Sequence, residues 1–379
     1  MKMLTQDIEM SNLAIEVSRC YHLNQLYQKL THLIGDSIKS SSISHVLSRW
    51  VMNEKRHAYK DPLLPDGYLA YLILSDIKDL QHGVTSEVTF TCNEIQDLCQ
   101  ETLQNFRSTE PPSDVTSQKR VISGRFVEMV RVVVSCPSLE FDKTLDIPEP
   151  IYLRLETLLG EETAISLALR YDALNSLNNQ LALDPVLTDS IHRSFDVKGE
   201  LFASAFNMHY LKEKPYDPLP ICSLFPDLEK PAGSMCSFFD FEPKEDGFYI
   251  ANPPYDLLLM EAMSARILRW LSSSMKLAFF SVLPVWDPEG IEELTGEKSS
   301  YGEFKGLTLL KKSPFFKLIK TLPQSKACFI NKMTYRYIYP CNIHFILVAN
   351  YDFPTEAMSR ILDTYHNTCR NFIYYKRRH

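Results

Sequence analysis

Leu13, Val17, Cys20, Leu23, Tyr27, Leu30 and Ile34 recur at intervals of three and four residues, the apolar stripe of one amphipathic helix. Ser11 stands where an N-cap is wanted and Gly35 where the helix should stop. Similar patterning predicts helices over Val46 to Asn53, Tyr68 to Leu80, Glu94 to Phe106, Ile151 to Leu159 (ending at Gly160) and Thr163 to Leu177. The serine run Ser40 to Ser42 and the polar stretch Ser108 to Ser117 read as loops. Phe126 to Val134 is apolar and β-branched, and fits either a strand or a buried helix. Residues 1–195 are therefore expected to form a mainly helical domain.

From about residue 198 the texture changes. Short apolar runs alternate with helical stretches, which predicts an α/β sheet over 196–379. The candidate strands are Leu201 to Ala205, Ser237 to Phe241, Phe248 to Ala251, Leu277 to Leu283, Cys328 to Ile330 and Ile343 to Val348. Leu257 to Leu271 is a predicted helix between two of them.

Composition narrows the chemistry. There are 12 glycines in 379 residues, and no pair is closer than Gly302 and Gly306. That spacing excludes the glycine-rich loops that hold dinucleotides and nucleoside triphosphates by backbone approach to phosphate. The nine cysteines contain no C-x-x-C, so a reducing compartment without a disulfide framework or structural zinc is expected. The ten histidines show no ligand spacing, and no metal site is expected. No G-x-S-x-G is present. The longest apolar run, Leu277 to Trp286, is broken by Ser281 and Pro284 and falls short of the ~20 residues of a membrane span. Met1 to Met10 has no signal-peptide pattern. A soluble intracellular protein with no membrane partner is expected.

Phe248-Tyr-Ile-Ala-Asn-Pro-Pro-Tyr255 carries the chemistry. An apolar strand runs into Asn252, Pro253, Pro254 and Tyr255 and then into a helix. This is the [DNS]-P-P-[YFW] signature of methyltransferases acting on exocyclic or side-chain amines. The N6 nitrogen of adenine is conjugated with its ring and is a poor nucleophile, so it must be held with its lone pair aimed at a sulfonium methyl group. An Asn carbonyl and a Pro backbone carbonyl can each accept one N–H and leave the lone pair directed at the methyl. Proline stiffens the turn, and an aromatic fourth residue stacks on an extruded base. Upstream, Asp240 closes a candidate strand where an acid can bond the donor's ribose or adenine. Glu200-Leu-Phe-Ala-Ser-Ala-Phe-Asn207 is a strand entering a turn of small residues, suited to the donor's methionine end.

These segments in this order, with Leu283-Pro-Val-Trp286 and Lys332-Met-Thr-Tyr335, resemble the phosphorylated-CTD-interacting-factor family over roughly residues 198–350. The resemblance implies a Rossmann-like methyltransferase domain packed with a helical domain that supports the RNA and cap side. It implies S-adenosylmethionine as donor and methylation of N6 of the 2′-O-methyladenosine next to the 7-methylguanosine cap of messenger RNA. Carried over, Asn252, Pro253, Pro254 and Tyr255 would hold the adenine. Glu200, Phe202, Ala203, Ser204, Asn207, Asp240 and Phe241 would line the donor pocket. The family usually has Phe where this chain has Tyr255, which leaves N6-adenine methylation of DNA or uncapped RNA as an alternative. A methyltransferase-like RNA-binding adaptor without activity is a second alternative. Metazoan members carry a WW domain that binds the polymerase tail. Its two tryptophans lie in one short three-stranded unit, whereas Trp50, Trp270 and Trp286 are dispersed. A chain without that domain, and without direct tail binding, is expected. The expected compartment is the nucleus rather than the cytoplasm.

The chain's formal charge is −7, so a nucleic-acid surface must be local. Residues 301–340 supply one: Lys305, Lys311, Lys312, Lys317, Lys320, Lys326, Lys332 and Arg336, against the single acid Glu303. Phe304, Phe315, Phe316, Phe329 and Tyr335 interleave. Capped messenger RNA is the expected partner, with this basic insertion as its surface, Lys376 to Arg378 adding phosphate contacts, and Trp286 walling the base pocket.

Overall fold

The computed structural model describes residues 13–34, 40–52, 61–66, 69–70, 72–73, 92–209, 219–295 and 304–376. Most of the helix expected over Tyr68 to Leu80 lies outside them, as do Ser11, Gly35, Arg377 and Arg378. The chain divides into two compact units, residues 1–179 with 227–232, and residues 180–226 with 233–379.

The first unit opens on α1 (Leu13–Ile34), α2 (Ser40–Met52) and α3 (Cys92–Ser108). Val17, Cys20, Leu23 and Leu30 of the expected stripe are buried, and Leu26 joins them. Ser40 to Ser42 begin α2 rather than forming a loop. The unit is not only helical. Strands β1 (Thr116–Ile122), β2 (Met129–Cys136) and β3 (Phe141–Pro148) form an antiparallel meander. Val130, Val132 and Val134 alternate inward along β2, so the stretch is a strand from Met129 onward, while Phe126 stands exposed in the bend before it. α4 (Glu149–Leu159) stops at Gly160, whose φ is +83°, and α5 (Glu161–Ala173) packs against α1. Within this unit Glu16 is buried and accepts a two-pronged bond from Arg170, Nε to Oε2 at 2.9 Å and Nη2 to Oε1 at 2.6 Å. Arg19 binds the same carboxylate, and Arg170 also reaches Asp227 at 2.6 Å.

The second unit holds, among the described residues, a seven-stranded sheet. Its strands are β5 (Val197–Glu200), β6 (Ile221–Cys222), β7 (Ser234–Cys236), β8 (Gly247–Ala251), β9 (Leu277–Pro284), β10 (Phe316–Leu322) and β13 (Ile343–Ala349). They lie in the order β10-β13-β9-β8-β5-β6-β7. The five from β9 to β7 run parallel; β13 and β10 are antiparallel to their neighbours. β9 and β13 are buried at every position, as central strands covered on both faces must be. On one face Tyr249 stacks on Phe279, which stacks in turn on Trp270 of α7 (Leu257–Leu271). On the other, Phe280 and Phe345 pack with Tyr365 of α10 (Thr355–Lys376), and Leu187 and Ile191 of α6 (Pro185–Ser194) join that core. The helices α8 (Pro288–Thr295) and α9 (Lys305–Lys312) come after β9. A second small sheet pairs β12 (Arg336–Ile338), β11 (Phe329–Asn331) and β4 (Leu181–Leu183).

Two expected strands are displaced. Leu201 to Ala205 is a turn, and the strand precedes it at Val197–Glu200. Ser237 to Phe241 is mostly a 3-10 turn following the short β7. In both places apolar residues are buried by the ends of neighbouring strands rather than by lying in the sheet. Among the described residues, no helix is long and apolar enough to cross a membrane.

Candidate active site

Strand order reverses between β5 and β8: β6 follows β5 toward one edge and β9 follows β8 toward the other. Ligands of open parallel sheets bind outside the carboxyl ends of the strands at such a point. The two strands end in Glu200 and in the segment Asn252 to Tyr255.

Asp256 fixes the turn after β8. Its Oδ1 accepts from Leu259 N at 3.0 Å, N-capping α7, and its own N–H donates to Pro254 O at 2.8 Å. The Pro254 carbonyl is thereby engaged. The Asn252 side chain and the Pro253 carbonyl have no hydrogen-bond partner among the described residues. Two adjacent acceptors are left over at a strand end, as binding an exocyclic amine requires. Tyr255 stands edge-on to Trp286, ring centroids 6.3 Å apart, and Trp286 also faces Phe304 at 6.3 Å.

The Tyr255 hydroxyl is buried without a partner among the described residues, and burial pushes its pKa well up. An unmade buried bond is costly, on the order of 1–3 kcal/mol. Tyr255→Phe is therefore expected to raise stability by about 1 kcal/mol in urea unfolding. A loss of stability would show that the hydroxyl has a partner.

The turn after β5 is held by both neighbours: Leu201 N donates to Ile250 O at 2.8 Å and Ala203 N to Cys222 O at 3.0 Å. Ser204 is buried, its hydroxyl donating to Gln180 Oε1 at 2.6 Å. Asn207 Oδ1 accepts from Ser204 N at 2.8 Å, and Asn207 Nδ2 donates to Leu181 O at 3.1 Å. Ser204 and the Asn207 amide thus close the turn. Phe202 stacks on Phe238 at 4.4 Å. Asp240 is exposed beyond β7, and Phe241 is buried beside Tyr249 and Trp270.

Glu200, Phe202, Asn207 and Asn252 line one cavity of about 30 Å³, together with Ile250, Thr188, His209, Lys332 and Leu181 to Leu183. His209 carries no sequence signal of its own beyond its nearness to Asn207. It stacks on His192 at 4.8 Å, with Nε2 3.0 Å from Asp189 Oδ1. Burial holds the His209 imidazole below its usual pKa, assisted by His192. Leu181 to Leu183 arrive through the pairing of β4 with β11, which no local pattern announces.

The basic residues spread over several elements. Lys305, Lys311 and Lys312 lie on α9, Lys317 and Lys320 on the edge strand β10, and Arg336 on β12. Lys311 pairs with Glu289 at 2.8 Å, Lys320 with Asp363 at 2.6 Å, and Lys326 Nζ lies 2.6 Å from His366 Nε2. Lys332 lines the cavity, carried there by its N–H bond to Gln180 O at 2.9 Å.

Known proteins share parts of this chain. The family model described as the phosphorylated CTD interacting factor 1 WW domain matches residues 156–316. The mRNA (2′-O-methyladenosine-N(6)-)-methyltransferases of Homo sapiens and Mus musculus are each 34% identical to this chain over 113 residues. That is 30% of this chain, and only 15% of either relative's own length. The expectation of a chain without the family's WW element is overturned by the family match, and the expected absence of tail binding falls with it. That expectation rests on two tryptophans sharing one short unit; the match runs over a longer span that contains both Trp270 and Trp286. Together these matches support the resemblance to the phosphorylated-CTD-interacting-factor family, and the matched span contains the turn after β5, Asp240 and the Asn-Pro-Pro-Tyr segment.

Proposed function

We propose that this chain is a Rossmann-like methyltransferase that transfers a methyl group from S-adenosylmethionine to N6 of the adenosine next to the messenger RNA cap, acting in the nucleus. The single observation carrying this reading is the pair of acceptors, Asn252 and Pro253, without a partner among the described residues, at the carboxyl end of the strand beside the switch point. The sheet order supports the Rossmann-like assignment, and the names of the human and mouse relatives support the substrate.

The residues fit the donor. Glu200, Phe202 and Asn252 share a cavity, and Asp240 presents an exposed carboxylate beyond a nearby strand of the same sheet. The cavity is about 30 Å³, small beside whole small-molecule sites of ~300 Å³ or more. The chemistry supplied by bound S-adenosylmethionine is an electrophilic methyl group on a sulfonium sulfur. The chain orients the nucleophile: the Asn252 side-chain oxygen and Pro253 carbonyl each accept an amine N–H and turn the nitrogen lone pair away from the ring. Tyr255 and Trp286 offer the stacking surfaces for a base taken out of its stack. The methylated nitrogen is strongly acidic until it sheds a proton, so no strong base is required. Lys305, Lys312 and Lys317 are the basic contacts we assign to RNA.

Asp240→Ala is expected to weaken donor binding about tenfold in calorimetry, as loss of one hydrogen bond to a charged group does, with turnover at saturating donor preserved. A defect confined to RNA affinity would contradict the donor role. Donor binding by the parent chain also separates this reading from an inactive adaptor, which needs none.

A further inference from the structure

We infer that a hydrogen-bonded chain of half-buried Thr321 with buried His344 and Asp287 is a positioning device for Trp286, fixing the aromatic wall opposite Tyr255. The inference rests on the methyltransferase reading only in naming the base site that this wall faces.

Asp287 follows Trp286 directly and is buried. A charged residue in that position needs compensation. Its Oδ2 accepts from Gly290 N at 3.0 Å, and its backbone carbonyl accepts from Ile291 N at 3.1 Å, so it caps α8. A cap alone would be complete there. Instead Oδ1 meets His344 Nε2 at 2.8 Å, and His344 Nδ1 lies 2.9 Å from Thr321 Oγ1. His344 is on β13 and only 2% exposed; Thr321 is its register partner on β10. With Nε2 protonated, every polar atom is satisfied: the imidazole donates to the carboxylate and accepts from the threonine hydroxyl. Burial raises the Asp287 pKa, but the His344 bond and the Gly290 N–H outweigh it and hold the carboxyl below its ordinary range.

The chain therefore ties the segment after β9 to two neighbouring strands. Packing leaves no slack: a Cβ on Gly290 would come within 2.7 Å of Val285 Cγ1 and 2.9 Å of both Asp287 Oδ1 and His344 Nε2. Val285 N is held by Asn342 O at 3.0 Å. Trp286 is the half-buried residue between these two anchors, presenting its ring to Tyr255 and Phe304. Hydroxyl, imidazole and carboxylate are ordered as in a hydrolytic triad, but the imidazole and carboxylate are buried. Their use is positional, and displacement of about 1 Å at a reacting site can cost roughly 100-fold in rate.

The full chain labelled with 5-fluorotryptophan has three fluorine signals to resolve, from Trp50, Trp270 and Trp286, and Trp286→Phe assigns the third. Thr321→Val and His344→Leu are expected to shift or broaden the Trp286 signal alone and to raise the KM for RNA about tenfold, with donor affinity unchanged. His344→Gln, which can still donate to Asp287 and accept from Thr321, should retain the parent spectrum. An unmoved Trp286 signal in folded Thr321→Val overturns the inference, and this near-isosteric variant decides the matter if His344→Leu does not fold. A moved signal with an unchanged KM for RNA upholds the positioning device and counts against the base-site reading instead.

Discussion

Asn252→Ala is expected to lower methyl transfer by about 1000-fold or more, the order lost when a preorganised orienting group is removed. Its effect on stability should stay within about 0.5 kcal/mol, as for a residue outside the core. Asn252 makes no hydrogen bond to the described fold, so truncation leaves no buried partner unsatisfied. Asp256 still caps α7, and Pro253 and Pro254 still stiffen the turn. Asn252→Asp keeps the acceptor and belongs to the same [DNS]-P-P signature, so it should retain much more activity than the alanine variant. Equal losses in both would mean that the side chain contributes shape rather than an acceptor. Wild-type turnover in Asn252→Ala would remove this residue from the chemistry.

Glu16→Gln is expected to destabilise the first unit by about 3–5 kcal/mol, the range found when one partner of a buried ion pair is removed. The carboxylate is shared by Arg170 and Arg19, whose side chains are 3% and 10% exposed. Removing its charge leaves two guanidinium groups with less than their complement of anions. Burial alone would raise the Glu16 pKa; the charges and hydrogen bonds of Arg170 and Arg19 outweigh it and hold the carboxyl at about 2. The pH dependence follows from the sign. The folded value lies below the ordinary 4.5, so the folded state binds fewer protons in that window. The stabilisation is complete above about pH 4.5 and is lost as pH falls toward about 2. Urea midpoints across that range should converge for the parent and Glu16→Gln. Lys119→Ala, which removes an exposed pair with Glu156, should cost under about 1 kcal/mol. A comparable cost for both variants would contradict the account of the buried network.

The parts of the fold legible in the sequence are those with a long, one-signed pattern. α1 and α7 carry apolar stripes, and β8, β9 and β13 are apolar runs, interrupted by Ser281 in β9 and His344 in β13, because both faces are covered. β1 is hidden because almost every residue of it is exposed: Thr116 to Ile122 has no buried face, and pairing with β2 makes it a strand. Leu201 to Ala205 misleads because its apolar residues are buried at strand ends, while Ser204 and Asn207 bend the backbone into a turn. Of the proposed site, Asn252 to Tyr255 and the turn after β5 stand out from local chemistry alone. Lys332 clusters in sequence with the lysines proposed to contact RNA, yet β11 and the Gln180 contact bring it to the cavity. Charge along a chain does not report which strand a residue will pair beside.

Incubation of the chain with S-adenosylmethionine and an RNA beginning 7-methylguanosine-2′-O-methyladenosine, followed by mass spectrometry of the released nucleosides, tests the central proposal most directly. The account predicts N6,2′-O-dimethyladenosine from the capped RNA, and far less product from the same RNA without its cap or from a DNA oligonucleotide. Equal product with and without the cap, or methylation of DNA in preference to RNA, would contradict it.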